Sequence, residues 1–447
     1  MKEYNSEYGL TRLQRYWLGF CLMGIILTNS VCWARFERVS LGGYKIGALS
    51  WMFRKAKLPW EFMLQVAVGL VLKQHGITEG VLVTDDSDHK RSKSTKRIFK
   101  THKLKDKSSG GYVNGQTIML LLLVTPKVTL PVGFEFYQPD PEQKAWRRKD
   151  ARLKKQGIAK KDRPKPPQKN PDYPSKPQLA LQLMEQFRKW HPQVLVKSIV
   201  ADALYGHNKF MDPASALFGG VQVISQLNCR QNIRIRNRKQ NVTKYFASYP
   251  GVPQLLSIRG QEPIVATVGS ARLEVCAHGK KRFVIALKYA GEQDYRYLVA
   301  TDLSWRTLDI VEAYSLRWLV EVFFEDWKSY EGWGQLAKQP DEEGSSRGLI
   351  LSLLLDLCLL LHPEQLARVE DKLPAYTVGS LQGRTQMESL LAYVQQLLQE
   401  ANPAQKLAQL GELVKEVLVL RPSGKHMSGK DLGRLEPTPS LRYRAMA

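Results

Sequence analysis

One segment near the middle of the chain limits the possible folds more than any other. Residues 307–328 (TLDIVEAYSLRWLVEVFFEDWK) contain neither Pro nor Gly, and Gly332 follows shortly after them. Thr307 is a residue type that caps helices, and Asp309 falls in the first turn, where an acidic side chain is favourable. The pattern predicts one helix over these residues.

Polar side chains form one stripe along this predicted helix. At about 100° per residue, the stripe spans an arc of roughly 60°, with Glu325 beside it, and consists of Tyr314, Arg317, Glu321 and Lys328. The opposite side is apolar and carries Leu316, Leu319, Val320, Phe323, Phe324 and Trp327. Most of the helix must therefore be buried while the stripe faces a polar environment, as at a functional site. The alternative is a solvated face on which Arg317 pairs with Glu321 and Glu325 pairs with Lys328.

The size and charge of the chain limit its class. A length of 447 residues predicts two or three domains. Lys and Arg number 66 against 42 Asp and Glu, a formal charge of +24, which favours a polyanionic partner such as nucleic acid over a small neutral substrate. The five Cys show no C-x-x-C spacing, so neither a zinc site nor a disulfide framework is indicated, and a reducing, cytoplasmic setting fits.

Two apolar runs, residues 17–27 and 349–361, are each shorter than the roughly 20 residues that span a bilayer. The second run contains Asp356. The first follows Arg12 and Arg15, as the core of a signal peptide would, but no small-residue cleavage site follows it. We therefore expect two buried helices and no membrane association, with a signal peptide as the alternative for the first run.

The N-terminal residues 1–78 read as a small helical domain, with helices over residues 10–27, 44–54 and 59–74. The middle helix mixes basic and aromatic residues (KIGALSWMFRKAK). This composition suits a helix that docks on DNA, and it suits equally a packing helix with a solvated basic edge.

Carboxylates follow two predicted strands. Residues 81–84 (VLVT) run directly into Asp85, Asp86, Ser87 and Asp88, and the strand at 194–200 runs into Asp202. Strands at 116–125 and 128–137 and a helix at 177–190 lie between them. We therefore expect acidic side chains at the rim of a sheet.

Residues 138–177 are rich in Pro and in basic residues. They predict a solvated or mobile loop that could lie along a phosphate backbone, or else an ordinary disordered insertion.

The second half of the chain changes from β to α. Alternating runs in residues 215–301 predict an all-β insertion, and helices are expected at 348–361, 385–400 and 405–418. The tail from Pro422 is expected to be poorly ordered. Five units are predicted. Residues 1–78 form a helical N-terminal domain with a possible role in DNA-end binding, and residues 79–214 form the first part of the core. Residues 215–301 form the insertion, residues 302–365 the second part of the core, and residues 366–447 a helical C-terminal region with a basic tail.

Three carboxylates from distant parts of the chain, two at strand ends and Glu321 on a covering helix, suit two hard divalent cations with positions open for phosphate and water. Mg²⁺ is the natural choice, and Mn²⁺ is an expected substitute. Two such ions can activate a water or a 3′-hydroxyl, hold the scissile phosphate and stabilise the leaving oxygen, so no nucleophilic side chain is needed.

The spacing of Tyr314, Arg317, Glu321 and Lys328 resembles the Y-R-E-K signature of bacterial insertion-sequence transposases with a DDE, ribonuclease H-like core. The segments VLVTDDS and IVADALYG, which contain Asp86 and Asp202, are similar to that family's first and second acidic motifs. The resemblance covers roughly residues 80–365.

The resemblance implies an α/β fold with a ribonuclease H-like mixed-sheet core, a β insertion and flanking helical regions. It implies that Asp86, Asp202 and Glu321 bind the metal ions and catalyse. It also implies that three side chains contact DNA near the cleaved end, namely Tyr314, Arg317 and Lys328. A slip of one residue along the strand would select Asp85 in place of Asp86.

The expected function is that of a DNA transposase, which binds double-stranded terminal inverted repeats and cuts and joins strands in a cut-and-paste reaction. A homodimer is expected in the DNA complex, at the nucleoid of a bacterial cytoplasm. Two alternatives remain: a nuclease of the same fold without strand transfer, and a non-catalytic basic DNA-binding protein.

Overall fold

The computed structural model describes residues 9–106, 110–258, 262–336, 339–370 and 376–417. Four helices come first: α1 (Arg12–Thr28), α2 (Trp33–Val39), α3 (Ile46–Lys55) and α4 (Trp60–Gln74). Three of them confirm the predicted helices, whereas the short α2 was missed. Gly42 has φ 87°, a conformation that favours glycine, and it breaks the chain before α3 as predicted.

Twelve strands of the described residues form one mixed sheet. They are β1 (Glu79–Lys90), β2 (His102–Lys105), β3 (Tyr112–Val124), β4 (Thr129–Tyr137), β5 (Leu195–Ala201), β6 (Gln222–Leu227), β7 (Asn232–Ile235), β8 (Arg238–Asn241), β9 (Val252–Leu256), β10 (Ile264–Val275), β11 (Lys280–Tyr289) and β12 (Arg296–Ala300). Their order is β2-β3-β1-β5-β6-β12-β11-β10-β7-β8, with β4 on β3 and β9 on β10. Strands β1, β5 and β6 run parallel, as crossover connections allow, and the other pairs are antiparallel.

The remaining helices cover the sheet and extend the C-terminal side. They are α5 (Pro141–Lys155), α6 (Lys176–Trp190), α7 (Asn208–Leu217), α8 (Val242–Ser248), α9 (Thr307–Ser315), α10 (Trp318–Tyr330), α11 (Glu342–Leu360), α12 (Pro363–Glu370), α13 (Val378–Leu398) and α14 (Pro403–Val417). The mixed α/β fold with helical N- and C-terminal regions is the predicted fold class, and the mixed sheet is consistent with the predicted ribonuclease H-like core.

The strands of residues 215–301 continue the core sheet. Strand β6 pairs with β5, and β12 pairs with β6, so the β-rich segment prolongs the same sheet from its middle outward. The segment also contains the short helix α8.

The strand that carries Asp85 and Asp86 does not end at these acids, and that prediction is wrong. Strand β1 runs on to Lys90, because β3 pairs with it throughout this stretch, with Asp85 opposite Leu120 and Asp86 opposite Met119. Both acids therefore lie in mid-strand.

Part of the predicted basic loop, 15 of its residues, is the helix α5. Asp140 caps α5, because its Oδ1 accepts hydrogen bonds from the backbone N–H groups of Glu142 and Gln143, and Pro141 occupies the first turn. No side chain of α5 is buried. The helix thus stands on the surface of the core.

The predicted single helix over residues 307–328 is divided in two. The N–H groups of Leu316 and Arg317 donate to the carbonyls of Ala313 and Tyr314, three residues back, so a tightened turn of 3₁₀ type joins α9 to α10. Gly332, with φ 79°, ends the segment as expected.

Both apolar runs are core helices, as predicted. Helix α11 is buried along most of its length, and Arg347 Nη1 donates to the carbonyl of Phe53 in α3 (2.8 Å), which ties it to the N-terminal helices. No helix among the described residues combines the length and apolarity needed to cross a membrane. The tail from Pro422 lies outside the described residues.

Two carboxyl groups are buried together where α10 ends against α11. Glu331 is fully buried, and Asp356 is 7 % exposed. Burial raises the pKa of Asp356 to about 7 and that of Glu331 well above its ordinary value. At least one carboxyl of the pair is therefore protonated at neutral pH.

We expect the free energy of unfolding to fall as pH rises through about 7. A carboxyl whose pKa is higher in the folded than in the unfolded protein favours folding while it is protonated, and this contribution is lost when the carboxyl ionises. Asp356→Asn with Glu331→Gln should flatten this decline and recover on the order of 1–3 kcal/mol at pH 9. The measurement is thermal unfolding at pH 6 and pH 9 at one ionic strength, with exposed Glu400→Gln as the control. An equal decline in the double variant and the control would contradict this account.

Candidate active site

The sheet has a notch beside β1. Strand β5 pairs with β1 only as far as Thr84, which lies opposite Ala201, whereas β1 continues for six more residues. Asp202 follows directly after β5 and caps a short 3₁₀ turn, since its Oδ1 accepts the N–H of Leu204 (2.8 Å). In this register Asp85 is the next residue on β1, so Asp85 and Asp202 border the notch.

Arg317 connects Asp85 to the helix above it. Its Nη1 lies 3.5 Å from Asp85 Oδ2, and its Nη2 lies 2.7 Å from Glu321 Oε1. The side chains of Arg317 and Asp85 are 20 % and 17 % exposed, and that of Glu321 is 42 % exposed. The Arg317–Glu321 pair expected from the sequence therefore exists, but it covers a carboxylate of the sheet instead of a solvated face.

Asp85 is held with an unusually high proton affinity. Burial is the main cause that raises its pKa to about 6, and the negative charges of Asp202 and Asp86 add to it. The N–H of Asp86 and the charge of Arg317 act in the opposite direction. Asp85 and Asp202 are thus close enough to interact through their charges, and more positive charge at the notch would stabilise both.

Asp86 points to the other face of the sheet, because neighbouring residues of a strand alternate. Its Oδ2 accepts a hydrogen bond from Lys176 Nζ at the start of α6 (2.6 Å). The structure therefore places Asp202 within charge interaction of both Asp85 and Asp86, and it connects Asp85, but not Asp86, to Glu321 through Arg317.

The other residues of the stripe are divided between two places. Tyr314 is buried beside Arg317, and burial raises its pKa to about 12. Lys328 is in α10, beside the later part of β1. Burial lowers its pKa, and the charge of Asp88 raises it. Glu325 is exposed, and among the described residues it forms no ion pair with Lys328.

The loop after β5 is fixed by backbone contacts. Ser225 Oγ donates to the carbonyl of Asp202 (2.5 Å). A Cβ at Gly206 would lie 2.1 Å from the carbonyl oxygen of Gln226, so only glycine fits there. The position of Asp202 thus depends on close approach to β6.

A buried arginine supports the same loop from β11. Arg282 Nε donates to His278 Nδ1 (3.1 Å), and His278 Nε2 in turn donates to the carbonyl of Gly206 (3.2 Å). Arg282 Nη2 also pairs with Asp212 Oδ1 (2.5 Å). Sequence reasoning missed Arg282 and His278, since they lie some 75 residues downstream of the motif in a basic, β-rich stretch that carries no motif.

The family model described as "DDE superfamily endonuclease" matches residues 11–260, more than half of the chain. The chain belongs to this family. The matched residues include Asp85, Asp86 and Asp202 and end before Glu321. The predicted DDE affiliation is thereby confirmed at the level of the superfamily.

The solved structure of the NurA nuclease from Sulfolobus solfataricus matches 53 % of this chain and 72 % of that chain, with 7 % sequence identity and a TM-score of 0.22. No curated protein matches the chain.

As a DDE superfamily endonuclease, the protein is a nuclease with DNA as its substrate. Such families generally use divalent metal ions. The oxygen donors of Asp85, Asp202 and Glu321 fit a hard cation such as Mg²⁺. Within the described residues, no three acidic, imidazole or thiol groups already surround one point as ligands, and Glu321 is engaged by Arg317.

Gly206→Ala should displace the Asp202 loop. The added Cβ overlaps backbone that cannot move without disturbing β6, so we expect a loss of about 1–3 kcal/mol in the free energy of unfolding. Gly383→Ala, on an exposed face of α13 with open space at its Cβ, should be neutral or stabilising by roughly 0.5–1 kcal/mol. Denaturant unfolding compares the two, and equal stabilities would refute the close fit.

Proposed function

We propose that the protein is the DNA transposase of an insertion sequence, which cuts at terminal inverted repeats and transfers the freed 3′ ends to target DNA. The observation that supports the proposal is the position of Asp85, which interacts with the charge of Asp202 and is connected through Arg317 to Glu321, so that three distant parts of the chain meet near the notch. Membership in the DDE superfamily endonucleases supports the cleavage step.

We assign the first catalytic carboxylate to Asp85 in place of Asp86. Asp85 shares its face of the sheet with Arg317 and Glu321, whereas Asp86 is neutralised by Lys176 on the opposite face. In this proposal Asp85, Asp202 and Glu321 hold two Mg²⁺ ions, for which Mn²⁺ can substitute. Bound there, the ions would supply an activated oxygen nucleophile and stabilise the leaving oxygen.

Arg317 and Tyr314 are proposed to position the DNA strand at the site. A guanidinium suits a phosphate as well as it suits the two carboxylates it now contacts, so Arg317 can exchange Glu321 for a DNA phosphate when Glu321 binds a cation. Lys328 is proposed to contact the backbone farther along the same strand.

The helices of residues 1–78 are proposed to bind the element ends. Leu49, Met52 and Phe53 bury one side of α3, which leaves Trp51 58 % exposed and Arg54 exposed on the other side. An exposed basic and aromatic face suits DNA docking. A homodimer in the DNA complex and a location at the bacterial nucleoid complete the proposal.

Four variants test the assignment of the acids. Asp85→Asn, Asp202→Asn and Glu321→Gln should each slow Mg²⁺-dependent cutting of end-containing DNA by a factor on the order of 10³ or more, with DNA binding retained. Asp86→Asn should keep most of the activity, because it removes only the partner of Lys176. Loss of cutting in Asp86→Asn together with cutting in Asp85→Asn would return the role to Asp86.

The products separate the transposase from its alternatives. With Mg²⁺ and a supercoiled target, we expect strands of the element end joined to the target, detectable as a shifted band and by sequencing of the junction. Nicks without joined strands would indicate a nuclease alone. Salt-sensitive binding without metal-dependent products would indicate a DNA-binding protein.

A further inference from the structure

A second concave site lies on the face of β1 opposite the catalytic carboxylates. It is a cavity of about 650 Å³ between β2, the end of β4, α5 and the start of α6. This volume falls within the roughly 300–1,000 Å³ typical of ligand pockets. The walls come from parts of the chain that are distant in sequence, so the cavity is a product of the fold and not of one charged run.

The lining of this cavity is strongly basic. Six cationic side chains face it: Lys103, Lys105, Lys144, Arg147, Lys169 and Lys176. Only two carboxylates do, and both are already engaged. Asp88 accepts from Thr117 Oγ1 (2.6 Å), and Asp140 caps α5. The lining therefore carries an excess of four positive charges.

Four of these cations have no carboxylate partner in the described part of the chain: Lys103, Lys144, Arg147 and Lys169. Burial lowers the pKa of Lys144, and the positive charges of Arg148 and Lys103 lower it further. The fold thus holds Lys103 of β2 near Lys144 of α5, although their positive charges repel each other. An anionic ligand between them would relieve it.

The surface helix α5 is held in place over the cavity. Trp146 Nε1 donates to the carbonyl of Pro164 (2.7 Å), and Arg163 Nη1 pairs with Asp150 Oδ1 (2.9 Å). Since α5 buries none of its side chains, these contacts, and no apolar core, fix its basic residues above the cavity.

One ion pair connects the cavity to the strand of the candidate active site. Lys176 lines the cavity and pairs with Asp86, whose neighbour Asp85 faces the active site. Strand β5 stops pairing with β1 at Thr84, just before these two acids. The basic cavity therefore lies beside the proposed cleavage site.

We propose that this cavity binds backbone phosphates of the DNA strand adjacent to the phosphodiester that is cut. The proposal rests on the proposed cleavage site at Asp85. Lys and Arg on four separate segments can contact successive phosphates without reading sequence, so the cavity contributes affinity and register and no base specificity.

The test is DNA binding by Lys103→Ala/Lys144→Ala/Arg147→Ala in an Asp202→Asn background, which cannot cut. The control is Arg384→Ala/Lys406→Ala/Lys415→Ala, which removes three cations from α13 and α14. Affinity for duplex and single-stranded DNA is measured from about 50 to about 200 mM salt. We expect the cavity variant to bind at least about tenfold more weakly, with a salt slope smaller by roughly 2–3, and the control to match the parent.

Each outcome decides a different claim. An unchanged affinity and salt slope in the cavity variant overturns the proposal, whatever the protein cuts. Loss of binding to inorganic phosphate with unchanged DNA binding makes the cavity a small-anion site, which also overturns it. Weakened DNA binding together with full cutting by Asp85→Asn supports the cavity and rejects the proposed cleavage site.

A second measurement does not depend on substitution. DNA should protect Lys103 and Lys144 of the intact protein from an amine-reactive reagent, while Lys406 on α14 stays reactive. Equal reactivity of all three with and without DNA overturns the proposal. Thermal unfolding of the variants verifies that the surface substitutions leave the fold intact.

Discussion

A carboxylate in the middle of a sheet is the constraint around which the site is arranged. Burial disfavours the charged form of Asp85, and neighbouring Asp202 disfavours it further. The fold tolerates this because Arg317 places a cation over Asp85 and binds Glu321 with its other amino group. The ion pairs of Arg317 therefore connect the start of α10 to the sheet beside the notch.

The break between α9 and α10 belongs to the same arrangement. A turn of 3₁₀ type separates Tyr314 from Arg317 by one full turn, so both side chains point to the same side. An uninterrupted helix would carry them about 60° apart. The break thus brings a buried hydroxyl and a guanidinium to the notch, with the large apolar side chains of α10 packed on the other side.

The surroundings of β1 differ in charge between its two faces. On one face Asp85 lies under Arg317, and on the other Asp86 and Asp88 lie beside the cations of the cavity, with Lys176 paired to Asp86. In the proposed function, the cations of the cavity would hold the DNA backbone, while the acidic groups at the notch would remain available for metal ions. The overall charge of +24 suits a polyanionic partner such as DNA.

The sequence by itself determined the kinds of element and the chemistry of the site. Apolar periodicity placed the core helices and strands such as β3 and β5, and the spacing of Tyr314, Arg317 and Glu321 marked the helical segment that contacts Asp85. These features are local, so a pattern of a few residues carries them.

Only the tertiary structure decided which face each side chain of β1 presents. Asp85 and Asp86 are identical in type and adjacent, and the pairing of β1 with β3 and β5 sets their directions. The helical form of α5 depends on a cap, and its position over the cavity depends on contacts of Trp146 and Arg163 with the following segment. The support of Asp202 by Arg282 also requires contacts between distant strands, which no local pattern of residues records, because their energy arises only when the chain is folded.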